Sequence, residues 1–470
     1  MRSSLVALLL LAVPLLACGS DGGRTPPGET APLAITDVTV VDAVDGARPG
    51  QTVVVRGDRI EAVGPDVQVP EGARVLEGAG RYLIPGLWDM HVHLTYDPAL
   101  TDAMPGLFLR WGITSVRDTG GLLDGILPVV EAMRAAGARA PRVFFAGPLL
   151  DGRLVVYDGE GRPEIGIADA TPEQARENVA ALAEAGVDFV KIYEMVTPEV
   201  FDALVEAAEE RGLPIAAHVP LALRARDVAP RVTSMEHLRN VEMDCAADAP
   251  TLLETRRGIL DTATGPGADL RSRLHRLQRL PAIAAYDPAT CREAIAAMVG
   301  TIQVPTLRLN AFPIQPPFGQ PDWPAALEEL PSTVAADWRA AAQAALGSRT
   351  DTTFGAWSLD LTRRLHEAGV PVGAGTDTPI AFALPGYSLH DELAMLVRSG
   401  LTPREALRSA TVRPAEFFGL QGEMGRVAEG FRGDLVLLSA DPLQDIGNAK
   451  AIEAVVGRGR VMWPEEGGSE

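Results

Sequence analysis

The chain has 470 residues and a formal net charge of −20 at pH 7, with 47% apolar and 22% charged residues. This composition is typical of a globular enzyme, and the length suits a large barrel with an accessory domain. The acidic balance argues against nucleic acid and anionic membrane surfaces as partners, because both require a basic footprint.

The N-terminal segment predicts export. One arginine and a short apolar stretch precede Leu-Leu-Ala-Cys at 15–18, which resembles the bacterial lipobox. We therefore predict a signal peptide over 1–17, lipid on Cys18 and a flexible tether over 18–32. The expected protein is an exported bacterial lipoprotein that faces the periplasm or is anchored in the outer membrane, with the lipid as its only membrane contact. The alternative is an ordinary cleavage site beside a free cysteine.

Both ends of the remaining chain have a sequence pattern that is typical of short strands. Residues 33–84 and 420–463 contain apolar and β-branched runs that are broken by Gly, Asp and Pro. Because the two ends resemble each other and differ from the middle, we predict one small β-sandwich domain formed by both termini.

The middle of the chain, 85–419, alternates strand-like and helical segments. Helical segments such as 171–186 and 197–212 open with Thr-Pro and end at Gly, which are helix start and stop signals. Repeated strand–helix units predict an α/β fold, here a closed (β/α)8 TIM barrel. The eight predicted strands lie in 81–93, 112–119, 142–150, 187–194, 213–219, 232–238, 301–307 and 370–377.

A mostly helical insertion is predicted over 239–300, between the sixth and seventh strands. It contains Cys245 and Cys291, which lack the close spacing of a metal-binding pair. We interpret both cysteines as structural or incidental.

Six polar side chains fall where predicted strands end. The carboxyl ends of parallel strands meet at one face of a barrel, so these side chains are expected to converge there. They include four of the seven histidines, and neutral imidazoles on one face can bind a metal ion. The ordinary alternative for each histidine is a hydrogen-bonded structural role. The six residues are His91, His93, Lys191, His218, His237 and Asp377.

Lys191 and Asp377 add chemistry that histidine lacks. The chain has only two lysines, Lys191 and Lys450, among many arginines. A buried lysine can become a neutral amine and take up carbon dioxide as an anionic carbamate, although a lysine that extends to the barrel rim is the alternative. Asp377 is a candidate ligand, proton shuttle or both, or else a helix cap.

In this order, the motifs PGLWDMHVH, FVKIY, AAHV, MEHL and GTD resemble the amidohydrolase superfamily. The run from 388 to 443 is similar to its imidazolonepropionase-like branch, which includes metal-dependent prolidases. The resemblance implies two divalent metal ions, most commonly zinc. One would be bound by His91, His93 and Asp377 and the other by His218 and His237, with carboxylated Lys191 as the bridging ligand.

The resemblance also implies a hydrolase acting on C–N bonds. A hydroxide that bridges the metals would attack an amide carbonyl of a peptide or N-acyl amino acid, with Asp377 as the proton shuttle. Candidate substrate-binding residues are Tyr193, His390 and Arg117, each with a structural alternative. The other activities we retain are a lactonase or phosphotriesterase, a single-metal cyclic-amide hydrolase, and a non-catalytic surface lipoprotein. The expected partner is a small molecule or short peptide, and an oligomer is compatible with the sequence.

Overall fold

The computed structural model describes residues 31–347 and 350–464. The predicted signal peptide and Cys18 lie outside these ranges. Within them, no helix has both the length and the apolar character needed to cross a membrane.

Strands dominate both ends of the described chain, and helices dominate its middle. The strands are β1 (Leu33–Asp42), β2 (Gly46–Arg56), β3 (Arg59–Gly64), β4 (Arg74–Glu77), β5 (Tyr82–Pro85), β6 (Leu87–Val92), β7 (Ile113–Asp118), β8 (Arg142–Phe145), β9 (Leu149–Asp151), β10 (Gly166–Ala168), β11 (Val190–Ile192), β12 (Ile215–Ala217), β13 (Ser234–Glu236), β14 (Ile302–Val304), β15 (Leu435–Leu438), β16 (Ile452–Gly457) and β17 (Arg460–Trp463). The helices are α1 (Pro98–Thr101), α2 (Met104–Arg110), α3 (Leu123–Ala136), α4 (Pro172–Glu184), α5 (Pro198–Glu209), α6 (Ala225–Val228), α7 (Val241–Asp244), α8 (Ala249–Thr262), α9 (Gly267–Ala284), α10 (Pro288–Ala297), α11 (Leu307–Asn310), α12 (Trp323–Leu327), α13 (Ser332–Ala345), α14 (Thr353–Glu367), α15 (Tyr387–Arg398), α16 (Pro403–Ser409) and α17 (Val412–Phe417).

The two ends of the chain share one eight-stranded sheet. Its order is β17-β16-β15-β5-β1-β2-β3, and β4 pairs with β1. The junction between the ends is the antiparallel pair β5–β15, in which Leu435 lies opposite Pro85. Buried residues such as Ile35, Leu83 and Leu437 pack on this sheet. The pairing predicted between the termini is therefore observed, whereas a second layer and the domain boundaries stay predictions.

The middle of the chain forms two parallel sheets, with orders β6-β7-β8 and β10-β9-β11-β12-β13-β14. Isolated parallel bridges, Gln303 with Val372 and Val92 with Thr378, join the segment around 370–378 to β14 and β6. The α/β prediction is confirmed at this level. The carboxyl ends of the parallel strands hold most of the site residues.

The predicted helix start signals form N-caps at α4 and α5. The Thr171 side chain accepts a hydrogen bond from the backbone N of Gln174 ahead of α4, and Thr197 does the same for α5. Each helix buries one apolar face, which for α5 includes Phe201 and Leu204. α4 packs against α5, and α5 packs against β11.

Three of the predicted strands differ from the structure. The segment 81–93 is divided at Gly86 into β5, in the terminal sheet, and β6, in a parallel sheet. The segment 142–150 is interrupted at Gly147, whose φ of +73° is left-handed, so that β8 and β9 are separate strands. The segment 370–377 makes only isolated bridges. Glycine is required at two positions of this segment, because a Cβ on Gly373 or Gly375 would approach Met90 Sδ or His91 Cβ to less than 3 Å. The segment still hydrogen-bonds to both neighbours, since Met90 N donates to Ala374 O and Gly373 N donates to Gln303 O.

The insertion is helical, as predicted, and is closed by a disulfide. Cys245 follows α7 and Cys291 lies in α10, and the two are joined across 46 positions of sequence. The bond encloses α8 and α9. The two cysteines are therefore structural rather than incidental.

We predict that this disulfide stabilises the protein. Closing a loop of this length contributes about 2–4 kcal/mol to the free energy of unfolding. Denaturant unfolding with and without reductant measures it, with a Cys245→Ser, Cys291→Ser double variant as control. Reductant should lower the midpoint of the wild type and leave the double variant unchanged. An equal midpoint for oxidised and reduced wild type would contradict the prediction.

Candidate functional site

The six predicted ligand residues line one cavity of about 250 Å³. Their side chains are all buried. They come from the ends of different parallel strands and from the 370–378 segment. The structure therefore brings together His91, His93, Lys191, His218, His237 and Asp377.

The tightest group in the cavity is His91, His93 and Asp377. Asp377 Oδ1 lies 3.3 Å from His91 Nε2 and 3.2 Å from His93 Nε2. One candidate ligand atom from each residue lies within 4.8 Å of the others. The backbone fixes this proximity, because Asp377 N donates to His91 O at 2.7 Å. Two imidazoles and a carboxylate at this spacing could hold a divalent metal ion.

The other two histidines continue the cluster. The His237 ring centroid lies 4.5 Å from that of His91 and 4.7 Å from that of His218. His237 and Asp377 both have left-handed backbones, with φ of +64° and +61°. Such conformations are costly for residues other than glycine and concentrate at functional sites.

Two buried carboxylates hold two of these imidazoles. His91 Nδ1 donates to Glu236 Oε2 at 2.7 Å, and His218 Nδ1 donates to Glu194 Oε1 at 2.8 Å. A carboxylate can only accept here, so each Nδ1 carries the proton. Each Nε2 is then left with a lone pair for a metal.

Neutral oxygen atoms hold the remaining two imidazoles. His93 Nδ1 donates to Gly120 O at 3.2 Å, and His237 Nδ1 donates to Thr306 Oγ1 at 2.6 Å. The Thr306 hydroxyl donates its own hydrogen to Pro305 O at 2.8 Å, which leaves its oxygen as an acceptor. All four histidines therefore keep Nε2 for the cavity, where those of His91 and His93 face Asp377 Oδ1.

Each buried carboxylate is neutralised by an arginine. Arg117 donates to Glu236 at 2.8 Å, and Arg271 donates to Glu194 at 2.7 Å. Burial raises the pKa of each carboxyl, but the adjacent arginine outweighs it and the pKa of both Glu194 and Glu236 lies well below its usual range. His275 Nε2 also lies 2.8 Å from Glu194 Oε2. Both carboxylates are therefore ionised.

Lys191 has an unusual environment. Its side chain is fully buried, and Nζ has no hydrogen-bond partner in the described part of the chain. Burial lowers the pKa of Lys191 to about 7. Unsatisfied buried amines are rare and call for a partner that the protein alone does not supply.

Only one of the three predicted substrate contacts lines the cavity. Tyr193 does so, with its ring centroid 4.4 Å from that of His218. Arg117 instead lies behind the cavity against Glu236. His390 Nε2 lies 3.0 Å from Trp111 O, on a helix that does not reach the lining. These placements support positioning and packing roles for Arg117 and His390.

The sequence analysis missed the residues that orient the histidines. Glu194 follows Tyr193 and Glu236 precedes His237. An acidic residue next to a strand-end site residue could therefore have indicated the groups that orient the histidines. No sequence signal marks Arg271 and His275, because they lie on α9 of the insertion and reach Glu194 only through tertiary packing.

Comparisons with known proteins identify the family of this chain. The sequence model described as "Amidohydrolase family" matches residues 82–242 and 358–462, more than half of the chain. Imidazolonepropionase from Vibrio cholerae serotype O1 is 24% identical over 400 residues, which cover 82% of this chain and 86% of the relative.

Two solved structures share the fold. Bottromycin amidohydrolase has a TM-score of 0.66 at 25% identity, covering 92% of this chain and 86% of that one. A Xaa-Pro dipeptidase with bound methionine in the active site has a TM-score of 0.64 at 18% identity, with coverages of 92% and 99%. The predicted resemblance is confirmed.

We predict that the buried carboxylates control metal affinity. Glu194→Gln and Glu236→Gln each remove the charge that orients one imidazole, and such changes typically weaken metal binding by about 10–100-fold. Zinc titration of metal-free protein measures the effect. Asp169→Asn is the control, because this buried carboxylate binds Asn178 outside the cavity. Unchanged zinc affinity in both glutamate variants would contradict the prediction.

Proposed function

Because the chain belongs to the amidohydrolase family, we propose that it hydrolyses an amide bond of a short peptide or N-acyl amino acid at a centre of two divalent metal ions. Membership confirms the predicted class, a hydrolase acting on C–N bonds. One observation carries the proposal. Four imidazoles, each with Nδ1 in a hydrogen bond, surround one cavity that also holds the Asp377 carboxylate and the unpaired Lys191 amine.

The donor set fits two divalent metal ions, and we propose zinc because imidazole and carboxylate ligands suit it. His91, His93 and Asp377 would hold one ion, since two imidazoles and a carboxylate suit Zn²⁺. His218 and His237 would hold the second. Lys191 would join the two sites after its neutral amine adds carbon dioxide, which forms an N–C bond, releases one proton and gives a carbamate anion. The absence of any hydrogen-bond partner for Lys191 Nζ among the described residues supports that addition.

When bound, the two ions would supply an activated water near neutral pH and a Lewis acid for the amide carbonyl. Asp377 would take the proton of the attacking water on its carboxylate and deliver it to the leaving amine, a role typically worth a factor of about 10²–10⁴ in rate. Tyr193 lines the cavity and would donate its hydroxyl hydrogen to a substrate oxygen.

We also infer that the parallel strands close into the predicted (β/α)8 barrel and that the terminal sheet folds as the predicted β-sandwich. The bridges of Val372 to Gln303 and of Thr378 to Val92 support closure. Export as a lipoprotein through Cys18 remains our proposal. The Cys245–Cys291 disulfide supports it, since such bonds persist in oxidising compartments.

We predict that Lys191→Ala lowers the zinc content from about two ions per chain to about one and abolishes amide hydrolysis. Elemental analysis gives the metal content. Reconstitution of metal-free wild type should speed up with added bicarbonate, whereas the variant should not respond. Lys450→Ala is the matched control, because the other lysine of the chain pairs with Asp322 and Asp391 away from the cavity.

A screen on zinc-loaded protein should cover dipeptides, N-acyl amino acids, lactones and phosphotriesters. Turnover of amides supports the proposal. Turnover of lactones or phosphotriesters alone would replace it with an esterase-type activity at the same centre. Fewer than one zinc ion per wild-type chain, or no turnover despite full metal, would refute it.

A further inference from the structure

Three arginines line the same cavity as the candidate metal ligands: Arg162, Arg239 and Arg271. Tyr96, Tyr157 and Tyr193 share this part of the lining. A guanidinium stays charged at any physiological pH, so the wall beside the ligands carries up to three positive charges. The three arginines differ in whether a carboxylate of the protein pairs with them.

Arg271 is already paired. Its NH2 group donates to Glu194 at 2.7 Å, and both side chains are buried. Arg239 lies 3.9 Å from the same Glu194 oxygen, at the edge of ion-pair distance. That oxygen also accepts the Nδ1–H of His218, so little of its capacity remains for Arg239.

Arg162 has no anionic partner in the described part of the chain. Its guanidinium carbon lies 5.3 Å from the ring centroid of Tyr157, which in turn lies 5.8 Å from that of Tyr193. An aromatic face stabilises a cation but does not use its hydrogen-bond donors. Arg162 therefore has donors to offer at the cavity.

The segment that carries Arg162 is held in place. It leaves β9 at Asp151, whose Oδ1 accepts from the backbone N of Met195 at 2.7 Å and whose Oδ2 accepts from Val156 N at 2.9 Å. A Cβ on Gly152 would come within 2.0 Å of Met195 O, so this contact requires glycine. The segment is thus anchored at its base against the residues that follow Lys191, and the antiparallel bridge between Asp158 and Glu164 closes the turn that carries Arg162.

We propose that Arg162 and Arg239 are specificity-determining residues that each bind one carboxylate of a compact dianionic substrate. Resting on the proposed function, the substrate class is an acidic amino acid acylated on its amine, or a dipeptide ending in such a residue. A guanidinium binds a carboxylate through two parallel hydrogen bonds. A substrate with one carboxylate would leave one of the two cations without a partner.

The test compares three amides of equal size: N-acetyl-L-glutamate, N-acetyl-L-glutamine and the α-carboxamide of N-acetyl-L-glutamate. Each of the two amide analogues keeps one carboxylate and should lower kcat/KM by about tenfold or more, as expected when one partner of a sheltered charge pair is removed. Arg162→Gln should abolish the discrimination at one carboxylate and Arg239→Gln at the other. Arg176→Gln is the control, since Arg176 is half exposed and pairs with Glu206 at the surface. Equal kcat/KM for all three amides would overturn the proposal.

Binding is measured separately from turnover. L-glutamate should raise the Tm more than L-glutamine does, and one of the two variants, Arg162→Gln or Arg239→Gln, should remove that difference. If no amide is hydrolysed but this difference is present, the proposed function fails and the anion site stands. If amides are hydrolysed and L-glutamate gives no larger shift than L-glutamine, the anion site fails and the proposed function stands.

Discussion

Four Nδ1–H groups, each held by a different acceptor, are the constraint on which the rest of the site depends. An imidazole can offer a lone pair to a metal only if its other nitrogen keeps the proton, and in water the two tautomers exchange freely. Here Glu194 and Glu236 fix His218 and His91. Burying two carboxylates is costly unless each meets a cation, so Arg271 and Arg117 are part of the same arrangement.

That arrangement explains how much could be predicted. His91, His218 and Asp377 interrupt apolar runs at strand ends, and the shared direction of parallel strands brings such ends together. The orienting groups could not be found this way. Arg271 lies far along the sequence, in an insertion whose path depends on packing. Arg117 was a candidate substrate contact because the sequence does not show that its side chain is buried against Glu236.

The secondary structure was likewise predictable where local interactions determine it. Thr-Pro starts and glycine ends located α4 and α5, because capping is a local interaction. The loss of regular strand at 370–377 is not local. The segment makes only isolated bridges, and the close approach of Gly373 and Gly375 to β6 is visible in the sequence only as a run of small residues. The same approach lets the backbone of Asp377 bind His91 O.

The disulfide in the insertion has a topological effect on the site. Positions 246–290 form a closed covalent ring, and that ring contains both Arg271 and His275. A single cut of the backbone inside the ring would leave the two fragments covalently tethered, so neither side chain could diffuse away from Glu194. A protease that cuts only within the ring would therefore have to cleave twice to release the segment that carries Arg271 and His275.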